Sequence, residues 1–257
     1  FRYLFILILI PCVVSAHPNG EFRFEHLTDG LANKSVVSLY QDSEDYIWIG
    51  TFGGLHKYDG RKIKHIPGVV GYTNSIVDDD HGYLWVSDMN GINKINKYTL
   101  AVSNYEGDTT AALEPFRDYS WGLKKDDDGF IWSLRYQEVF QFNPENSEVI
   151  FTYPNKDYFN LIFIDNAHNK WLAGRDLALI QADGKTIDLT DSVKGFSAEI
   201  VDMGESSSGR LWFATYGEGI FYLDQGSDKL ERFDSWVQQD YPIKKLLVDQ
   251  HDRLWIG

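Results

Sequence analysis

The chain of 257 residues is poor in cysteine and in basic residues. Its single cysteine, Cys12, excludes a disulfide within the chain and a thiolate metal cluster. Lys and Arg number 24 against 38 Asp and Glu, which gives a net charge of −14. Such a surface repels phosphate backbones and anionic lipid heads. We therefore predict no binding to nucleic acid and no direct binding to a membrane surface.

Long apolar runs are also lacking, apart from the N-terminal stretch FRYLFILILIPCVVSA, residues 1–16. The run ends in the small residues Val14, Ser15 and Ala16, which is typical of a secretory signal peptide cleaved after Ala16. It is too short to span a bilayer as a helix. The alternative is a buried core strand. We predict a signal peptide at 1–16, one incomplete domain at 17–257, and a periplasmic location with membrane attachment only through a segment outside this chain.

Tryptophan, by contrast, recurs at a regular interval, with gaps of 37 to 47 residues. A period of about 40–45 residues with four short strands is typical of a β-propeller blade. The fold prediction is an all-β chain of four-stranded antiparallel blades, five whole blades and the start of a sixth, from a seven-bladed ring. The repeated position is occupied by Trp48, Trp85, Trp132, Trp171, Trp212 and Trp255.

Each repeated Trp follows a turn with fixed chemistry. Six residues before it stands an Asp in five of the six units, with Ser206 in the fifth. Three residues before it stands a turn former, where Gly supplies a positive φ. We predict that the Trp side chains are core and that the carboxylates clamp backbone N–H groups of the turn. These carboxylates belong to Asp42, Asp79, Asp126, Asp165 and Asp249.

Residues 22–27, FRFEHL, precede the first repeat and are predicted to form an outer strand. Ring closure would pair such a strand with blade-mates beyond residue 257.

Residues 27–60, LTDGLANKSVVSLYQDSEDYIWIGTFGGLHKYDG, contain several short motifs in a fixed order. They are DGL at 29–31, V-x-x-L-x-Q-D at 36–42, WIGT at 48–51 and GGL at 53–55. This stretch resembles the repeats of the two-component regulator propeller family. The other units keep the Asp–Trp spacing, with Ser206 in the fifth, so the resemblance covers residues 22–257.

The resemblance implies the periplasmic sensory part of a membrane-spanning signalling protein. Its transmembrane helix and its histidine kinase or other output module would lie elsewhere in the protein. Several family members sense oligosaccharides, so we expect an oligosaccharide or another small molecule as the ligand. No cofactor is implied, and a homodimer is left open.

A candidate ligand site follows from large residues four positions after the repeated Trp. These residues, which include Met89, fall in the loops between second and third strands, and such loops share one face of a propeller. Aromatic faces and Arg forks suit sugar rings and carboxylated sugars, although loop aromatics can also simply pack the loops. The candidates in these loops are Phe52, Tyr136 with its neighbour Arg135, Arg175 and Tyr216. Three more, Arg117, Tyr119 and Trp121, end the longest loop from a fourth to a first strand, residues 106–121, and such loops share the same face.

Enzymatic activity is weakly supported. The sialidase box S/T-x-D-x-G-x-x-W requires Ser or Thr seven residues before Trp, and no unit has one. The seven histidines show no zinc-ligand spacing, and the Asp runs lack the calcium-loop pattern. We predict no metal site, no catalytic residue and no enzyme in this chain. The alternatives left open are a protein-binding scaffold and, with less support, a propeller glycosidase or lyase.

Overall fold

The computed structural model describes residues 12–16, 22–27, 29–105, 111–155, 159–191, 197–233 and 242–257. The chain divides into two compact units, Phe1–Trp121 and Gly122–Gly257, which are described in turn.

The first unit begins with an antiparallel pair, β1 (Cys12–Ala16) and β2 (Phe22–His26), in register from Cys12 opposite His26 to Ala16 opposite Phe22. The strand predicted at 22–27 is therefore present, and β1 is its partner on one edge. Its predicted pairing with strands beyond residue 257 stays a prediction. Residues 1–11 of the predicted signal peptide lie outside the described part of the chain, and that prediction stays a prediction.

Two four-stranded antiparallel sheets follow in the first unit, each with its strands in chain order. Blade 1 consists of β3 (Val36–Gln41), β4 (Ile47–Thr51), β5 (Gly54–Tyr58) and β6 (Ile63–His65). Blade 2 consists of β7 (Ser75–Asp78), β8 (Tyr83–Asp88), β9 (Gly91–Asn96) and β10 (Val102–Ser103). A 3₁₀ helix, Ala111–Phe116, comes after blade 2.

The second unit holds three more four-stranded sheets and a final hairpin. Blade 3, whose first strand starts at the boundary of the units, has β11 (Trp121–Lys125), β12 (Ile131–Leu134), β13 (Glu138–Asn143) and β14 (Glu148–Pro154). Blade 4 has β15 (Phe159–Ile164), β16 (Lys170–Gly174), β17 (Leu177–Ile180) and β18 (Thr186–Asp188). Blade 5 has β19 (Ile200–Glu205), β20 (Leu211–Thr215), β21 (Gly219–Leu223) and β22 (Glu231–Arg232), and the hairpin, blade 6, has β23 (Leu246–Val248) and β24 (Leu254–Ile256).

The repeated Trp stands on the second strand of every blade, and Trp48 and Trp171 show how it packs against the following blade of the same unit. Trp48 shares a core with Ile76 and Leu84 of blade 2. Trp171 of blade 4 shares a core with Phe213 of blade 5. This arrangement confirms the predicted core role, because the first five repeated Trp are at most 9% exposed. The sixth, Trp255, is 38% exposed, and within the described residues its strand pairs with β23 alone.

The repeated Asp clamps its turn and also fixes the Trp. In blade 1, Asp42 Oδ1 accepts hydrogen bonds from the backbone N–H groups of Glu44 and Tyr46, while Oδ2 accepts one from Trp48 Nε1 at 2.8 Å. The same indole bond, 2.8–3.3 Å long, recurs from Trp85, Trp132, Trp171 and Trp255 to Asp79, Asp126, Asp165 and Asp249.

The turn formers three residues before each Trp have a positive φ in all six blades, which confirms the prediction for the three glycines and extends it to Asp45, His168 and Asp252. The angles run from 57° at Asp252 to 94° at Gly82. His168 has a φ of 64°, and His, like Asp, is one of the non-glycine residues that adopt this conformation most often.

Candidate functional site

The turns that join second to third strands present large side chains to solvent. Phe52 is 53% exposed, Met89 62%, Tyr136 66% and Tyr216 60%. Each lies four residues after a repeated Trp, at the tip of its hairpin. Exposed large apolar groups at one repeated position need an explanation beyond packing, since second strands that lead into these turns, such as β4 and β20, are buried along their whole length.

In the first unit these tips form one surface together with the connection between blades 1 and 2. The Phe52 ring lies 4.8 Å from the Tyr72 ring, centroid to centroid. A Cβ at Gly71 would come within 3.1 Å of Met89 Sδ, so the thioether rests against the Gly71 backbone. Val70, next in sequence, is 50% exposed. We call Phe52, Val70, Tyr72 and Met89 the tip surface.

Buried polar groups hold the tip surface in shape. The backbone N–H of Val70 donates to Asp88 Oδ2 at 3.1 Å, and that of Asn90 donates to Asp88 Oδ1 at 2.7 Å. Asp88 is 1% exposed, and burial raises the pKa of its carboxyl group above the ordinary range. The N–H of Thr73 donates to the carbonyl of Thr51, which ties the connection to the turn that carries Phe52.

The tip surface is uncharged. The connection that contributes Val70 and Tyr72 reads IPGVVGYTN, residues 66–74, and contains no ionisable acid or base apart from the tyrosine. In a chain with a net charge of −14, an exposed, uncharged surface rich in aromatic and thioether groups is a distinct chemical environment.

Three predicted site residues of the first unit lie after the 3₁₀ helix and are half-buried: Arg117, Tyr119 and Trp121. The hydroxyl of Tyr119 accepts a hydrogen bond from Asn74 Nδ2 at 3.1 Å, and its ring lies 5.6 Å from that of Trp121. Asn74 in turn bonds to Ser87. Tyr119 and Trp121 therefore form a second aromatic pair, connected to the start of blade 2.

In the second unit, Arg135 and Tyr136 have different environments although they are adjacent. Arg135 is 7% exposed, and its guanidinium group pairs with Glu138 at 2.9 Å. Asn155 Nδ2 donates to the Arg135 carbonyl at 2.8 Å. Arg135 was predicted as a fork for a ligand. The structure instead shows it supporting the turn that exposes Tyr136.

The other two predicted residues of this unit are exposed. Arg175 occupies the turn of blade 4, between β16 and β17. The backbone N–H of Tyr216 donates to the carbonyl of Glu199 at 2.8 Å, which fixes the blade 5 turn on the preceding connection. On the same turn, Glu218 Oε1 accepts a hydrogen bond from Ser197 at 2.9 Å.

Sequence reasoning missed Val70 and Tyr72. Both lie in the connection between blades, where no repeat position singles them out. The signal that was available is the uncharged run 66–74 in an otherwise charge-rich sequence.

Two further features concern other kinds of site. Over the ranges that the structure describes, no three His, Cys, Asp or Glu side chains are grouped so that they could hold a metal ion. In those same ranges, no helix has the length and apolar character needed to cross a membrane.

The comparisons with known proteins agree with this fold. Residues 30–53 match the family model described as two component regulator propeller. A stretch of 48 residues is 42% identical to Histidine kinase P4 from Formosa agariphila, and it makes up 18% of this chain and 4% of that kinase.

Solved structures match over nearly the whole chain. One match is the extracellular domain of BT4673 from B. thetaiotaomicron, which is described as part of a hybrid two component system. It superposes with a TM-score of 0.74 at 20% identity, over 96% of this chain and 36% of that one. Virginiamycin B lyase from Staphylococcus aureus, solved with quinupristin, gives a TM-score of 0.74 at 15% identity, over 96% and 84%. This chain therefore spans about a third of the length of the BT4673 domain.

The chain is an all-β protein with β-propeller blades. Its first blade contains a two component regulator propeller repeat.

Proposed function

We propose that this chain is the ligand-sensing propeller of an extracytoplasmic receptor of the two-component type. In this proposal the tip surface binds a saccharide or another small ligand, and occupancy is passed to an output module in another part of the protein. The extracellular domain of BT4673 has the same fold, and the family model matches blade 1, which contributes Phe52.

The observation that carries the proposal is the exposed, uncharged tip surface. The faces of Phe52 and Tyr72 are tilted 55° to each other at 4.8 Å, so both can contact one ring-shaped ligand. Aromatic side chains offer a large contact area at a small cost in conformational entropy. The absence of charge in 66–74 favours neutral ligands, and the net charge of −14 disfavours polyanions.

Signalling requires that the ligand bind two states of the protein with different affinity. The tip surface draws on two blades and on the connection between them. A ligand that bridges Phe52 and Met89 would therefore favour one relative placement of the blade 1 and blade 2 turns. This is the difference in binding that a sensor needs.

The experiment is calorimetric titration of the intact protein with a panel of neutral and acidic oligosaccharides. We expect Phe52→Ala and Tyr72→Ala each to weaken binding about three- to tenfold, the value of one aromatic contact. Tyr98→Ala is the matched control. Tyr98 is 67% exposed, but it lies in the turn between β9 and β10, at the opposite end of blade 2.

Binding that is unaffected by both tip substitutions would refute the choice of surface. If the whole panel fails to bind while a protein co-purifies in a Phe52-dependent way, the scaffold alternative replaces the sensor.

A further inference from the structure

His56 is a fully buried histidine beneath the loop 29–35. It lies on β5 opposite Ile49 and His65, and it is 0% exposed. Its Nε2 accepts a hydrogen bond from the backbone N–H of Ala32 at 2.9 Å, across 24 residues of sequence. This bond joins the loop before blade 1 to the third strand of the blade.

The direction of that bond fixes the protonation state of the ring. An imidazole nitrogen that accepts a hydrogen bond carries no proton, so the one proton of neutral His56 is on Nδ1. Protonation of Nε2 would place its N–H against the Ala32 N–H and abolish the bond. The imidazolium form is therefore incompatible with this loop contact.

The surroundings of His56 oppose a positive charge. Burial lowers the pKa of His56 below 6.5, and His65, whose ring lies 5.1 Å away, lowers it further. The backbone groups of Ile49 and Gly54 oppose this fall, although Nδ1 has no hydrogen-bond partner among the described residues. The loop itself contains the ionisable side chains of Asp29 and Lys34, and both residues are exposed.

The loop that His56 holds is packed against the Phe52 turn. The backbone N–H of Phe52 donates to the carbonyl of Ser35 at 3.2 Å. A Cβ at Gly53 would lie 3.1 Å from the Ala32 Cβ and 3.0 Å from that of Asn33, so loop and turn are in close contact. Loss of the Ala32 hydrogen bond therefore loosens the loop that packs against the turn of Phe52, a residue of the tip surface.

We propose that His56 is a proton-operated latch. Neutral His56 holds the loop 29–35 and the Phe52 turn in the arrangement described, and protonation at Nε2 releases them. The latch follows from contacts within blade 1 alone. Its consequence, weaker ligand binding at the tip surface in acid, rests on the proposed function.

Hydrogen–deuterium exchange of the intact protein, resolved to single residues, tests the latch between pH 7.5 and 5. After correction for intrinsic exchange rates, protection of the Ala32 amide is expected to fall as the pH drops below the pKa that His56 has with the loop released, by up to about tenfold per pH unit, because opening takes up one proton. The Asp42 amide, bonded to the Tyr46 carbonyl at 3.0 Å in the turn between β3 and β4, is the internal reference and should keep its protection.

Two variants sharpen the test. His56→Gln places a non-titrating carbonyl oxygen near the position of Nε2, and Ala32 protection should then be independent of pH. His65→Asn removes the neighbouring imidazole, and the transition should move to higher pH.

Protection of Ala32 that stays flat in the wild-type protein, or that falls equally in His56→Gln, would overturn the latch. If His56→Gln does not fold, a transition that fails to move in His65→Asn overturns it instead. Calorimetry at pH 7.5 and 5.5 separates the two proposals. A working latch in a protein that binds no ligand refutes the proposed function alone, whereas pH-independent ligand binding with flat Ala32 protection refutes the latch alone.

Discussion

At the scale of single residues, the hydrogen bond from the repeated Trp indole to the repeated Asp joins the second strand of a blade to its first turn. Asp126 shows its full set of partners. Its carboxylate accepts hydrogen bonds from the Phe130 N–H at 2.9 Å, from Trp132 Nε1 at 2.8 Å and from Gln141 Nε2 at 2.8 Å. One side chain thus joins the first turn, the second strand and the third strand.

Blade 5 has Ser206 in place of the repeated Asp. Ser206 keeps the backbone bonds of the turn, since its N–H donates to the Arg210 carbonyl at 2.9 Å. Its hydroxyl also faces that carbonyl, at 3.3 Å. The side chain is too short to reach the Trp212 indole as the longer carboxylate does in the other blades.

Exchange of the two residues gives a matched pair of predictions. Asp126→Ser should lower the free energy of unfolding by about 2–3 kcal/mol, since it removes a charged acceptor from a buried N–H. Ser206→Asp should raise it by about 1 kcal/mol. Chemical denaturation of each variant measures both changes. A loss at Asp126 without any gain at Ser206 would mean that blade 5 cannot accept the carboxylate, and no loss at Asp126 would contradict the clamp.

Part of this residue chemistry was predictable. The Asp–Trp spacing in the sequence predicted a turn clamp, and that role is confirmed at the backbone. The indole bond was not predicted, because a contact across a hairpin depends on the folded path of the turn rather than on the spacing of residue types.

At the scale of elements, blades contact closely where the second strand meets the connection to the next blade. A Cβ at Gly50 would lie 2.0 Å from Ser38 Oγ and 2.3 Å from the Thr73 carbonyl oxygen. The position two residues after the Trp is small in five of the six blades, and blade 3 has Leu134 there. The small residues are Gly50, Ser87, Ala173, Ala214 and Gly257.

This close contact predicts opposite outcomes for two substitutions on the second strands of blades 1 and 3. Gly50→Ala should destabilise the protein by about 1–3 kcal/mol, because the added methyl meets backbone. Ser133→Ala should be neutral or stabilising, since the Ser133 hydroxyl is buried without a hydrogen-bond partner in the described part of the chain. Thermal unfolding distinguishes them, and equal shifts for the two variants would contradict the blade contact.

Most elements could be predicted from sequence, because the short apolar runs of the strands and the Gly, Asp and Asn turns are local signals. Four strands per blade and the positive φ of the turn glycines before the Trp are confirmed. The partner of β2 was not predicted. The two strands are neighbours in sequence, but β1 lies in a segment whose composition predicts a signal peptide, so no strand was predicted there.

At the scale of the whole molecule, charge separates the candidate surface from the remainder of the protein. The net charge of −14 leaves the chain unsuited to polyanions, while the tip surface carries no charge. Sequence periodicity could locate the exposed turns that contribute Phe52 and Met89. It could not show that Tyr72 joins them, because that contact depends on how the connection between two blades folds back on the Phe52 turn.

The central claim is that a ligand covers the tip surface, and methionine oxidation tests it most directly. The chain has two methionines, Met89, which is 62% exposed, and Met203, which is 4% exposed. Met89 therefore reports on the tip surface, and Met203 serves as a buried reference. The intact protein is oxidised with and without each oligosaccharide of the panel, and the peptides that contain Met89 and Met203 are quantified. We predict that a binding oligosaccharide slows oxidation of Met89 and leaves Met203 unchanged. Oxidation of Met89 at the same rate in the saturated complex would contradict the account.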